Sequence, residues 1–150
     1  MENIEIRDLS FADYDAARSL WDRCQGIGLS KADEPEPMRR FLTLNPGLNL
    51  AAWSANELIA TCLCGTDGRR GYLYHLAVDT RYRRLGIGRE LVQQVFNQLH
   101  TQGIQKCHIM VYATNQEGLA FWKSTGWVTR PEIVLMSSPV HSDLGSKKEG

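Results

Sequence analysis

The stretch Val78-Asp79-Thr80-Arg81-Tyr82-Arg83-Arg84-Leu85-Gly86-Ile87-Gly88-Arg89 constrains the fold of this chain more than any other. An apolar run over residues 72–78 reads as a strand and ends there. A basic loop with two glycines follows. Leu91, Val92, Val95, Phe96 and Leu99 then recur on one face of a helix. Backbone N–H groups at a helix start have no partner within the helix, and the dipole there is positive. Gly86 and Gly88 carry no side chain to keep a ligand from the backbone. Arg81, Arg83, Arg84 and Arg89 add fixed positive charge. The junction is suited to a phosphate; the bland alternative is a glycine turn with solvated arginines. It lacks the Gly-Lys-Ser/Thr of a nucleoside-triphosphate loop and the Gly-x-Gly-x-x-Gly of a dinucleotide fold.

Charge balance narrows the ligand. Lys+Arg and Asp+Glu number 17 each, so a basic loop in a neutral protein points to a small anion rather than a nucleic acid. At 150 residues the chain is one domain with a real core. No run is long enough to span a membrane and the first residues carry no signal-peptide pattern, so a cytoplasmic location with no membrane partner is expected. Cys62 and Cys64 stand two apart on a strand, sharing a face and poorly placed to bridge each other. With Cys24 and Cys107 they read as reduced, buried thiols, and no metal site is expected.

Apolar periodicity gives the order β-α-α-β-β-β-α-β-α-β, a mixed α/β (α+β) class. Strands are expected at 4–7, 49–54, 58–64, 72–78 and 106–112, with a last strand or two within 127–137 interrupted by Pro131. Ser10 is placed to cap a helix that runs to about Cys24. A loop spans 25–37, and a short helix at 37–44 stops at Asn45-Pro46-Gly47. The long helix covers 86–102 and ends at Gly103 in a left-handed cap; a shorter one covers 115–124 and closes at Gly126. Residues 1–137 form the domain, and 138–150 read as a polar, disordered tail.

Leu76-Ala77-Val78 followed by Arg83-Arg84-Leu85-Gly86-Ile87-Gly88 resembles the acetyl-CoA motif of the GCN5-related N-acetyltransferases, Arg/Gln-x-x-Gly-x-Gly/Ala. Asn115 to Trp127, with Phe121-Trp122-Lys123-Ser124-Thr125-Gly126-Trp127 at its end, resembles that family's second motif. The two lie in the family's order and spacing. The stretch 65–78 is also similar to small bacterial acetyltransferases of the YpeA type. The resemblance implies a single-domain acyl-CoA N-acyltransferase fold. Its mostly antiparallel sheet would splay between the 72–78 and 106–112 strands, with helices on its flanks. It implies acetyl-CoA as co-substrate. Arg83, Arg84, Leu85, Gly86, Ile87, Gly88 and Arg89 would hold the pyrophosphate. Leu76, Ala77 and Val78 would pair with the pantetheine arm as an added strand does, and a backbone N–H there would polarise the thioester carbonyl. Asn115 would contact the pantetheine or simply cap the next helix; one residue can do both.

The implied reaction is direct attack of a primary amine on the thioester in a ternary complex. The amine must lose a proton and the thiolate should gain one. Many relatives protonate the sulfur with a tyrosine in the second motif; here that position is Trp122, and an indole N–H is too weak an acid. Water or another hydroxyl serves instead, or thiolate leaves unprotonated, tolerable at a pKa of about 8.5. A carboxylate base frequent in relatives, five residues before the motif Asn, is Met110 here. Strict alternation puts Tyr72, Tyr74, Leu76 and Val78 on one strand face and Leu73, His75 and Ala77 on the other. By register with the family, the tyrosine face looks toward the acceptor. Tyr74 is the first candidate for acceptor contact or proton handling, against packing on the sheet. His75 falls on the opposite face and reads as a core histidine. Tyr112 is a second candidate, across the expected cleft.

The resemblance implies a small-molecule or peptide amine as acceptor; Glu34 and Glu36, in the loop that shapes acceptor specificity in the family and that also holds Asp33, would suit a cationic amine, against a charged loop that is only solvated. Arg69 and Arg70 read as a solvated hairpin tip or as an anchor for an acidic acceptor or partner chain. The resemblance is compatible with a homodimer. The alternative function is a CoA-binding regulatory or interaction module with degenerate catalysis, favoured by Trp122 and Met110.

Overall fold

In the computed structural model, which describes residues 3–140, five strands lie side by side in sequence order. They are β1 (Ile4–Asp8), β2 (Leu50–Ser54), β3 (Glu57–Thr66), β4 (Gly71–Val78) and β5 (Cys107–Ile109). β1 to β4 pair antiparallel, β2, β3 and β4 through short turns and β1 and β2 across a segment that holds two helices, whereas β4 and β5 pair parallel. A parallel pair needs a crossover, and α3 (Ile87–Thr101) supplies it. Of the remaining helices, α1 (Tyr14–Arg23) and α2 (Pro35–Leu44) cover one face of the sheet, and α4 (Gln116–Ser124) joins α3 on the other.

The two faces bury separate apolar clusters. Leu91, Val95 and Leu99 of α3 meet Cys62, Cys64 and Leu73 of the sheet. Ala17, Leu20 and Trp21 of α1, with Met38 of α2, meet Ala51, Leu63 and Ala77. Each fully buried aliphatic side chain contributes about 1.5–3 kcal/mol. Cys62 and Cys64 thus share a face, as expected; all four cysteines are free, and burial pushes the thiol of Cys62 far above its ordinary range. Among the described residues no cluster of His, Cys, Asp or Glu could hold a metal ion, and no helix is long and apolar enough to cross a membrane.

Helix ends follow local chemistry. The Ser10 backbone N–H donates to Asp13 Oδ2 at 3.1 Å, and Ser10 caps a single 3-10 turn, Phe11–Asp13, that leads into α1. α2 starts at Pro35, two residues before the expected position, because proline at a first helical position gives up no hydrogen bond. A second 3-10 turn, Lys31–Asp33, stands where only loop was expected. Gly103, at φ +81°, ends α3 as anticipated.

Three expectations are corrected. The strand expected at 106–112 is only Cys107–Ile109, because the chain parts from β4 after Leu73 and pairing stops there. Residues 127–137 form no strand: Ile133, Val134, Leu135 and Met136 are exposed, and apolar side chains alone do not make a strand without an edge to pair with. The alternation of faces along β4 breaks. Thr61 pairs with Ala77 and Leu63 with Tyr74, so Cys62 of β3 faces two residues, His75 and Leu76, in a β-bulge. Beyond the bulge the faces swap. Tyr74 and Ala77 pack on the α1 side, and Leu73, Leu76 and Val78 on the α3 side. Of the tail expected at 138–150, residues 141–150 lie outside the described residues.

Candidate active site

The splay expected between the fourth and fifth strands is present. β5 leaves β4 after Leu73, while β3 stays paired to β4 as far as Val78. Residues 74–78 therefore keep one backbone edge without a strand, and that edge borders a cleft of about 750 Å³. Leu76 and Val78 line one wall, Ile109 and Met110 the other, and Gly86 and Gly88 the floor at the α3 start.

The basic loop is braced from behind. Asp79 is buried, and its Oδ1 accepts the Arg81 backbone N–H at 2.9 Å and Arg81 Nε at 3.0 Å. Its Oδ2 accepts from Arg23 at 2.9 Å. Arg81 also pairs with Glu57. Arg81 is thus tied to two carboxylates, Asp79 and Glu57. Arg83 Nε donates to the Val78 carbonyl at 3.0 Å, so its positive charge sits on the strand end. Among the described residues, no ion pair ties Arg84 or Arg89, and both line the cleft. Arg84 and Gly86 adopt φ +65° and +83°; the left-handed turn brings the chain into α3, whose N-cap, Gly86, has no side-chain hydrogen bond.

Hydrogen bonds from the Arg81 side chain, then from Arg23 and the Arg81 backbone, hold the Asp79 carboxyl well below the usual carboxylate range. A depressed folded pKa gives stability that is full above the unfolded value of about 4 and is lost as pH falls below it. Asp79→Asn is expected to lower the melting temperature by a few degrees at pH 7, since both arginine partners are half-exposed and screened. The gap between parent and variant should close as melting is followed below about pH 4.

The bulge changes what faces the α1 side. His75 sits at φ +47°, and its ring meets the Trp21 ring edge-on at 4.7 Å. Its Nε2 lies 2.6 Å from Asp33 Oδ1. Its carbonyl accepts from Thr61 Oγ1 at 2.9 Å, which in turn accepts from Trp21 Nε1 at 2.9 Å. His75 therefore lies on the same side as Tyr74 and lines the cleft, contrary to the strict-alternation expectation. Tyr74 packs edge-on against Phe41 at 5.8 Å, and burial raises its hydroxyl above the ordinary value.

Asn115 caps α4 by accepting the Gly118 N–H at 3.0 Å. Its amide also presses on Gly26: a Cβ there would stand 2.7 Å from Asn115 Nδ2, so only glycine fits. The loop 25–28 lines the cleft. Tyr112 is exposed, lines the cleft and lies against Gly28. Trp122 is buried between Phe121 and Trp127, with ring centroids 5.0 and 4.9 Å away. Asp33 was visible in sequence only as an acidic loop residue, although Ser30-x-x-Asp33 is a capping pattern; Ser30 N donates to Asp33 Oδ2 at 2.9 Å.

A mixed sheet opened between β4 and β5, with a helix start at the floor of the opening, defines the acyl-CoA N-acyltransferase class of fold. The chain matches the acetyltransferase (GNAT) family model over residues 14–127. It is 31% identical over 133 residues to an acetyltransferase of Pectobacterium atrosepticum, covering 88% of this chain and 93% of that one. It is 28% identical over 141 residues to an acetyltransferase of Sodalis glossinidius, covering 93% and 98%. In fold it is similar to the PaiA N-acetyltransferase of Thermoplasma acidophilum, solved in complex with coenzyme A. The TM-score is 0.73 at 21% identity, covering 85% of this chain and 91% of that one. The chain belongs to the GNAT family and is an acyltransferase.

Proposed function

We propose that the protein transfers an acetyl group from acetyl-CoA to a primary amine by direct attack in a ternary complex. The observation that carries this reading is the strandless edge of residues 74–78, leading into the left-handed turn at Gly86. The pantetheine arm lies along Leu76, Ala77 and Val78 as an added strand. The amides of 84–89, with Arg84 and Arg89, hold the pyrophosphate, and Arg83 braces the strand end. Leu85 and Ile87 contribute their backbone, and Gly88 gives the ligand room. Asn115 both caps α4 and borders the pantetheine. A backbone N–H on the free edge polarises the thioester carbonyl, and orientation supplies much of the acceleration.

Trp122 is no proton donor, so the thiolate takes its proton from water or from Tyr112. The acceptor, a small-molecule or peptide amine, enters past Tyr74 and the loop 25–28. The cytoplasm, where acetyl-CoA is present, is the expected location.

A panel of amines with detection of released CoA tests the reading; release with none of them counts against it. With an accepted amine, Tyr74→Phe is expected to lower turnover about 10-fold while acetyl-CoA affinity stays within about 2-fold. Equal turnover removes the Tyr74 hydroxyl from the chemistry.

A further inference from the structure

We propose that Asp33 and His75 form the proton-accepting pair for the acceptor amine, a role that rests on the acetyl-transfer reading above. The two residues are 42 apart in sequence and meet at 2.6 Å, His75 Nε2 to Asp33 Oδ1. A carboxylate only accepts, so the ring proton sits on Nε2 and the lone pair on Nδ1. Among the described residues no group donates to Nδ1, and the His75 side chain is 13% exposed. The ring lines the cleft on the side of Tyr74.

The pair is built rather than incidental. Asp33 is 6% exposed, and its second carboxylate oxygen is tied to Ser30 N at 2.9 Å. Its carbonyl accepts from Tyr14 and from Arg18, fixing the 3-10 turn to α1. Trp21 holds the plane of the imidazole, and Thr61 holds its carbonyl. A β-residue at φ +47° is strained, and such strain persists only where several contacts over-determine it, a situation common at reacting sites. Asp33 of the 3-10 turn bonds the His75 ring, Tyr14 and Arg18 of α1 bond the Asp33 carbonyl, Tyr74 adjoins His75 on β4, and β3 presents the neutral Thr61 to the His75 carbonyl.

The step balances. A proton passes from the acceptor ammonium to His75 Nδ1, and the imidazolium formed keeps its Nε2–H on the Asp33 carboxylate. The freed nitrogen lone pair forms the C–N bond with the acetyl carbonyl carbon. The C–S bond breaks, and its electron pair leaves on sulfur. Of the two hydrogens left on nitrogen, one reaches the thiolate through solvent and one remains as the amide N–H. His75 returns its proton to water.

The test combines three measurements on the full chain: the acetyl-CoA shift in melting temperature, the rate of CoA release with an accepted amine, and ¹⁵N NMR of the His75 ring. His75→Asn suits the site because asparagine tolerates a left-handed φ. It is expected to keep the acetyl-CoA shift and to lose about 100-fold in kcat/KM at neutral pH. Asp33→Asn removes the carboxylate that accepts the Nε2 proton, so turnover falls while the acetyl-CoA shift stays. NMR should find the proton of the neutral ring on Nε2 in the parent. A parent rate in His75→Asn overturns the pair, and so does a ring proton on Nδ1. A parent that gains no stability from acetyl-CoA refutes the acetyl-transfer reading instead, and the NMR result still decides the pair.

Discussion

Gly86→Glu is expected to abolish the rise in melting temperature that acetyl-CoA gives the parent protein. Gly86 is the N-cap of α3 at φ +83°. A Cβ built there meets no protein atom within 4 Å, so the space beside it belongs to the cleft. A glutamate would occupy that space and set a negative charge against the helix start, where a pyrophosphate is to be held by unpartnered amides. The substitution also costs about 1 kcal/mol through the left-handed backbone, so the variant still folds. At a ligand concentration of about 100 times Kd the parent gains about 2.7 kcal/mol. For a domain of this size that is roughly 5–10 °C. Thermal melts with and without acetyl-CoA read the difference directly. Arg84→Ala should lose only part of the shift, because one side chain is removed while the amides remain. A full shift in Gly86→Glu would place the pyrophosphate elsewhere.

The largest loss of stability is expected at Trp21. Its side chain is 1% exposed in the α1-side cluster, and its Nε1 donates to Thr61 Oγ1 at 2.9 Å. Trp21→Ala should cost about 3–5 kcal/mol, from lost burial and the cavity left under α1. It also frees the His75 ring from its edge-on neighbour at 4.7 Å. Thr61→Val keeps the volume but strips the hydroxyl that joins Trp21 Nε1 to the His75 carbonyl. It should cost about 1–3 kcal/mol, because two buried polar groups lose their partner. Denaturant midpoints at constant m-value measure both. If Thr61→Val costs as much as Trp21→Ala, the hydroxyl network rather than apolar packing holds α1 to the bulge.

Both effects meet at β4, and β4 is where sequence patterning and structure part. Alternation of apolar residues located the strand correctly but not the bulge between Thr61 and Leu63 of its partner. A bulge is set by the register of two strands, and one strand's sequence does not carry it. One extra residue turned His75 from the α3 face to the α1 face, where Asp33 is waiting. Nor does local sequence show an edge. Residues 106–112 and 127–137 have strand-like composition, yet three residues of the first pair and none of the second do. Pairing is limited by how far β5 follows β4, a property of the whole sheet.

Local features were read more faithfully, because their causes are local. The helix ends at Gly103 and Gly126, and the Asn115 cap of α4, depend on backbone freedom and on hydrogen bonds a few residues apart. The arginines divide along the same line. Four of them in the loop were evident from composition. That Arg81 turns back to Asp79 and Glu57, and Arg83 to the Val78 carbonyl, leaving Arg84 and Arg89 at the cleft, depends on which acceptors the fold brings near.

The strand–glycine–arginine–helix junction and the downstream Asn115 motif thus pointed to the class of fold, because short-range stereochemistry specifies them. Tertiary structure decided the contact between Asp33 and His75. Asp33 and His75 come from segments 42 residues apart, and only the packing of α1 and its following loop against the bulged β4 sets them at hydrogen-bond distance.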